Sequence, residues 1–174
     1  MSKLIIVNDK DEIISAKEGK DRTADDIIRV AGLWLFNSKK EALIAQRAHD
    51  KVHDPGKWGP SVAGTVEEGE TYVSNIIKEA KEEIGLTLSE ADLISGQHGF
   101  VSTGHKYWYQ SFFAKSDLPI SAFTIQKREV AEIRWIGIDE LLAWIRERPD
   151  DFIQSFKSLD SSVYALEKFL SAKT

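Results

Sequence analysis

The chain contains no cysteine, which excludes disulfides, thiolate metal sites and a cysteine nucleophile together. Basic charge is not in excess either: the formal net charge is −5, so no field exists to hold a nucleic-acid polymer. Nucleotides stay open, because a bound divalent cation can supply the positive charge. Long hydrophobic runs are also missing. The longest near the N-terminus is Leu4–Val7, too short for a signal peptide or a membrane span, and a reducing, cytoplasmic location is expected. What remains is ordinary: 174 residues, 42% hydrophobic and 29% charged, enough to bury a core, without repeats, linkers or low-complexity tracts. One domain over residues 1–174 is expected.

Residues 3–18 read as a hairpin, Leu4–Val7 and Ile13-Ile14 about a turn at residues 8–11, and a polar loop follows to residue 26. The apolar run Ile27–Phe36, a turn at residues 37–40 and a return strand at 42–46 come next. Pro55, Gly56 and Gly59 predict an exposed loop over residues 49–59. Strands are expected around residues 61–63, 96–102, 107–114 and 130–136. Asp139 is expected to cap a helix through Arg146, and Asp160 another through Leu170, so residues 150–174 read as a helical segment. The order is mixed α/β.

Tyr72–Ile84 is the clearest helix. Val73, Ile76, Ile77, Ala80 and Ile84 fall on one apolar stripe, while Glu79, Glu82 and Glu83 form a second stripe pointing well away from it. Gly85 ends the helix, since glycine takes the left-handed terminal conformation at little cost. An isolated Glu-x-x-Glu-Glu stripe is usually a solvated face. The alternative is a divalent-metal site, because hard oxygen ligands on a rigid element suit magnesium. The preceding segment shifts the balance. Gly64 is followed after five residues by Glu70, and after seven more by Lys78-Glu79-Ala80-Lys81-Glu82-Glu83-Ile84-Gly85-Leu86.

This pattern resembles the Nudix box: G, five residues, E, seven residues, then R-E-U-x-E-E-x-G-U, with U aliphatic. Lys78 stands in place of the arginine and the small Ala80 in place of the first U. The resemblance implies an α/β/α sandwich with a mixed sheet, and hydrolysis of a diphosphate bond in a small phosphorylated metabolite such as a nucleotide or its derivative. It also implies Mg²⁺ as cofactor, with Mn²⁺ as a substitute. The implied ligands are Glu79, Glu83 and the carbonyl of Ala63, with Glu82 nearby as ligand or catalytic group. Gly64, Glu70, Lys78 and Gly85 would brace the box, Glu70 by pairing with Lys78, which lacks the bidentate fork of arginine. Lewis-acid catalysis by a carboxylate-held cation is the chemistry expected.

Outside the box, Arg47, Lys51 and Lys57 could meet substrate phosphates or form a solvated basic loop. Trp34, Tyr107, Trp108 and Phe112 could stack on a base, although strand aromatics are more often core. His49, His53, His98 and His105 show no tight ligand spacing and read as surface or loop histidines, with a phosphate contact as the alternative. The stretch 128–136 is similar to the one closing many Nudix domains, where an acid before the strand tryptophan binds metal or acts as base. Glu129 is the first choice for that role and Glu132 the second. The hairpin, the stretch 33–37 and the segments 55–58 and 61–64 also resemble the subgroup that contains isopentenyl-diphosphate isomerase. Its cysteine before the box glycine is replaced here by Ala63, and Thr65 stands where a histidine would follow the glycine. A non-catalytic, nucleotide-sensing module is a further alternative. A homodimer is among the states that related domains suggest.

Overall fold

Among the described residues, nine strands and two helices follow in chain order. They are β1 (Leu4–Val7), β2 (Ile13–Lys17), β3 (Ile27–Phe36), β4 (Glu41–Arg47), β5 (Trp58–Gly59), β6 (Val62–Thr65), α1 (Tyr72–Ile84), β7 (Ile94–Val101), β8 (Tyr107–Lys115), β9 (Val130–Gly137) and α2 (Ile138–Glu147). The structure is a computed structural model that describes residues 3–102, 104–157 and Lys168. The helix expected from Asp160 to Leu170 lies outside these residues, apart from the helical Lys168.

Ten-residue β3 organises the sheet. It runs parallel to β8 over Ile28–Phe36 on one side. On the other it meets three antiparallel partners in turn: β1 near its start, β6 in its middle and β4 at its end. The side chain of Ser61 bridges the fork between β3 and β4, accepting from the Leu35 amide at 2.8 Å and donating to the Leu43 carbonyl at 2.6 Å. β7 extends the sheet beyond β8, β2 beyond β1, and β5 and β9 both pair with β4.

Alternation along β3 decides what covers each face. Ala31, Leu33 and Leu35 pack under α1 with Ile76, Ala80 and Ile84; Trp34 and Phe36 pack under α2 with Leu141 and Leu142. The result is the α/β/α sandwich, with one helix on each face. Among the described residues no helix is long and apolar enough to cross a membrane.

Several boundaries differ from the sequence reading. The return strand of the hairpin continues to Lys17, where the ammonium meets Asp26 at 2.7 Å and pins the following loop. Trp58–Gly59 is a strand inside the expected loop because Trp58 is buried under α2 with the second core. Asp139 is not the cap of α2: Gly137 is, and Asp139 lies in the first turn, where a carboxylate still complements the helix dipole. Residues 149–151 and 154–157 form short 3-10 turns rather than a continuous helix. The hairpin is docked through Asp11, at φ 61°, whose carboxylate accepts from Arg29 at 2.7 Å and from the Tyr72 hydroxyl at 3.0 Å. His98, exposed on β7 where a strand is expected, stacks on Trp108 and reaches Asp11 at 3.3 Å.

Candidate active site

Helix α1 is fixed at both ends by local chemistry. Thr71 accepts from the Ser74 amide at 3.1 Å while Ser74 accepts from the Thr71 amide at 2.9 Å. At the other end Gly85 has φ 70°, and the Leu86 amide closes on the Ala80 carbonyl at 3.0 Å. Between the ends the helix turns two adjacent lines toward the sheet. Ile76, Ala80 and Ile84 are fully buried. Asn75, Glu79 and Glu83 lie beside them at i, i+4 and i+8, Asn75 buried and both glutamates partly buried.

The expected single acidic stripe is therefore split. Glu79 and Glu83 face β6, whereas Glu82 is exposed. Burying a side chain the size of isoleucine is worth roughly 1.5–3 kcal/mol, so the apolar line can hold the polar line in place against its desolvation.

β6 is shaped to receive that polar line. A Cβ on Gly64 would lie 2.4 Å from Glu79 Cγ and 2.8 Å from Asn75 Oδ1, so only glycine allows this approach. The Ala63 amide donates a hydrogen bond to Glu83. Asn75 donates to the Thr65 carbonyl at 3.0 Å and to Glu70 at 2.8 Å, while its Oδ1 is buried with no donor among the described residues. The sequence reading missed Asn75. Its one signal was an amide at a helix-interior position, where asparagine is a poor helix former.

Burial pushes the Glu83 carboxyl up, and the neighbouring Glu79 and Glu129 add to it against the Ala63 amide and Arg47, for a value of about 8. Glu79 is also raised, by burial foremost and by Glu82, against the pull of Lys78. Two partly buried carboxylates that resist ionisation in each other's company form an all-oxygen site short of positive charge. Among the described residues no three acidic or histidine side chains are gathered at ligand spacing. Like charges part: Glu129 leans to Lys51 at 2.5 Å and Glu79 to Lys78 at 3.6 Å.

Lys78 meets Glu70 at 2.7 Å and Glu67 at 3.0 Å, so a point charge serves two carboxylates of the preceding loop. Burial opposes its charge, but the bonds from Glu70 and Glu67 outweigh that and hold the ammonium above the usual lysine range. Lys78→Ala leaves the largely buried Glu70 without its cation. It should cost about 2 kcal/mol, roughly 4–8 °C in melting temperature, together with a loss of rate. Lys78→Arg should be neutral or mildly stabilising. An alanine variant matching wild type in both thermal melts and turnover would make Lys78 a surface residue only.

The remaining candidates divide clearly. Arg47, at the end of β4, lines a cavity of about 40 Å³ with Ala63, Glu83 and Glu129. Its Nε donates to the His53 carbonyl at 3.0 Å. Lys51 is held by Glu129, and Lys57 is turned away to the Asp150 carbonyl. Glu132 lies on the α2 side of β9, exposed and paired with Arg134 at 3.0 Å, so the sheet stands between it and α1. A bulge opposite Arg47 lets Val130 share the α1 core with Ile133, and Glu129 emerges just before it. Trp34 and Phe112 are core residues, and the Trp108 indole is tied to the Asn8 carbonyl at 3.2 Å. Tyr107 lines a second cavity of about 260 Å³, which shares Arg47, Pro60, Ala63 and Ile153 with the first.

The family model for the NUDIX domain matches residues 26–156. An uncharacterized Nudix hydrolase of Pseudomonas aeruginosa is 31% identical over 146 residues, spanning 80% of this chain and 76% of that protein. An isopentenyl-diphosphate Delta-isomerase of Enterobacter sp. is 25% identical over 152 residues, 84% of this chain and 82% of its own length. Among solved structures, that of DR0079 from Deinococcus radiodurans superposes with a TM-score of 0.69 at 24% identity, covering 83% of this chain and 89% of that one.

Proposed function

The chain belongs to the Nudix hydrolase family, whose members cleave diphosphate bonds, and we propose from that premise that it hydrolyses a phosphoanhydride in a nucleotide or nucleotide derivative with Mg²⁺ as cofactor. One observation carries the proposal: Glu79 and Glu83 are turned toward the sheet across Gly64, and Glu83 opens into a cavity that also holds Arg47 and Glu129. The donor set is all oxygen, part buried and short of positive charge, which fits a hard divalent cation. Glu79, Glu83 and the Ala63 carbonyl would hold it. When bound, it supplies charge neutralisation on the diphosphate.

The chain's own residues do the rest. Arg47 offers a guanidinium to a phosphate oxygen at the junction of the two cavities. Glu129 takes a proton from the attacking water as its oxygen bonds to phosphorus. The bridging P–O bond breaks, and its electron pair leaves on the departing phosphate. Lys51 can compensate Glu129 before the substrate arrives.

A phosphate-release screen tests this over nucleoside triphosphates, dinucleotides, nucleotide sugars and prenyl diphosphates, each with Mg²⁺ and Mn²⁺. Cation-dependent release from at least one nucleotide class is expected. Inactivity on all of them would favour a nucleotide-sensing module instead.

The similarity to isopentenyl-diphosphate isomerases raises a second activity, which the site argues against. Double-bond isomerisation needs an acid to protonate carbon, and here Ala63 and Thr65 flank Gly64. Incubation with isopentenyl diphosphate and Mg²⁺ should yield no dimethylallyl diphosphate. Isomerisation at an enzyme-like rate without anhydride hydrolysis would overturn both this expectation and the hydrolase proposal.

A further inference from the structure

We propose that Asp54 makes the larger cavity selective for diphosphates whose organic group is uncharged and presents vicinal hydroxyls, as a ribose does. The inference rests on the hydrolase proposal for one point only, that the phosphates lie at the Glu83 and Arg47 end. The cavity of about 260 Å³ opens from that end and is walled largely by Val30, Pro60, Val101, Tyr109 and Phe156. Its size suits a nucleoside-sized group.

Asp54 supplies the acidic side chain in this lining. Its carboxylate is partly buried and takes no hydrogen bond or ion pair among the described residues. The one interaction it shows is with Tyr107, whose phenol is raised by burial first and by Asp54 as well. Aspartate before Pro-Gly is commonly a turn former that bonds its own backbone, but here the side chain makes no such bond. The backbone at Asp54 is left-handed, φ 49°, a conformation uncommon outside glycine.

The loop holds that conformation firmly. Gln46 Nε2 donates to the Gly56 carbonyl at 3.0 Å, the Lys57 amide to the Asp54 carbonyl at 3.2 Å and the Arg47 amide to the Lys57 carbonyl at 2.9 Å. A carboxylate carried on a backbone held in this way has two oxygens that can accept two adjacent O–H donors. An alkyl group in the same place would strip water from it and return nothing, and a second phosphate would be repelled.

The test measures binding by calorimetry and turnover in parallel, in Mg²⁺, with adenosine triphosphate, 2′,3′-dideoxyadenosine triphosphate and geranyl diphosphate. Wild type should bind the ribose form at least about 10-fold more tightly than the dideoxy form. Asp54→Asn, which tolerates the left-handed backbone, should reduce that ratio to within about 3-fold and leave geranyl diphosphate unchanged or improved. Asp54→Gly should do the same without losing melting temperature, which separates lost recognition from lost folding. No preference for the ribose form in wild type, or a preference that survives both variants, overturns the proposal. An intact binding ratio with no turnover here or anywhere in the phosphate-release screen would refute the hydrolase proposal and leave this one standing.

Discussion

Glu83→Gln should lower turnover at saturating Mg²⁺ by at least roughly 100-fold while making the metal-free protein more stable at high pH. The two halves have one cause. Burial, with Glu79 and Glu129 near, raises the Glu83 carboxyl from 4.5 to about 8, so the folded chain favours the protonated form. The unfolded chain ionises near 4.5, and stability carried by the protonated form is therefore lost as pH climbs from there through about 8. Each unit of such a difference is worth about 1.4 kcal/mol, so the full effect is a few kcal/mol. Glutamine has no proton to lose. In EDTA the variant should melt higher than wild type at pH 9 and nearly the same at pH 5. Adding Mg²⁺ at pH 9 should raise the wild-type melting temperature far more than the variant's, because the cation takes the place of the missing positive charge. Near-wild-type turnover of the variant, or full wild-type activity in excess EDTA, would remove Glu83 and the metal from the proposed chemistry.

Glu129→Gln should cost roughly 100- to 10,000-fold in rate at saturating Mg²⁺, and Glu132→Gln should cost little. Carboxylates on one helix cover one side of a substrate, so a base or further ligand must come from another element. Glu129 sits where β9 begins and lines the same cavity as Glu83 and Arg47, and its carbonyl accepts from the Ala48 amide at 2.9 Å. Glu132 is separated from α1 by the sheet and already paired with Arg134, whose guanidinium lies 4.9 Å from the centre of the Trp58 ring. Losing Glu132 should therefore disturb only the surface around α2, with a stability change near 0.5 kcal/mol. Collapse of the Glu132 variant alone would place the base on the other face of the sheet. If neither variant loses activity, the base is in the box itself.

What could be read from the sequence alone was local. The bounds of α1 and its Gly85 stop follow from spacing within one segment, where few arrangements satisfy the pattern, and the approach of Lys78 to Glu70 from the likeness of that segment to the Nudix box. The sandwich was legible only through the likeness of residues 64–86 to the Nudix box; Ile27–Phe36 read as an apolar strand, and its cover on both faces is seen in the structure.

Tertiary structure decided which carboxylates meet. A helical wheel places Glu79, Glu82 and Glu83 on one polar arc, but a sheet that offers Gly64 draws the 75, 79 and 83 line inward and leaves Glu82 in solvent. Glu129 and Glu132 look alike as neighbours of a strand. The bulge at the start of β9 and the pairing of that strand with β4 put them on different sides. Arg47 and Lys57 differ in the same way: the first stays with β4 at the cavity, the second is drawn to Asp150, 93 residues along the chain. Asp54 reads as an ordinary turn residue until the walls built by β3, β7 and β8 close beside it. Spacing of three or four residues fixes which side chains share a helix face, whereas contacts between distant segments depend on register and bulges, and these are set by the burial of the whole core.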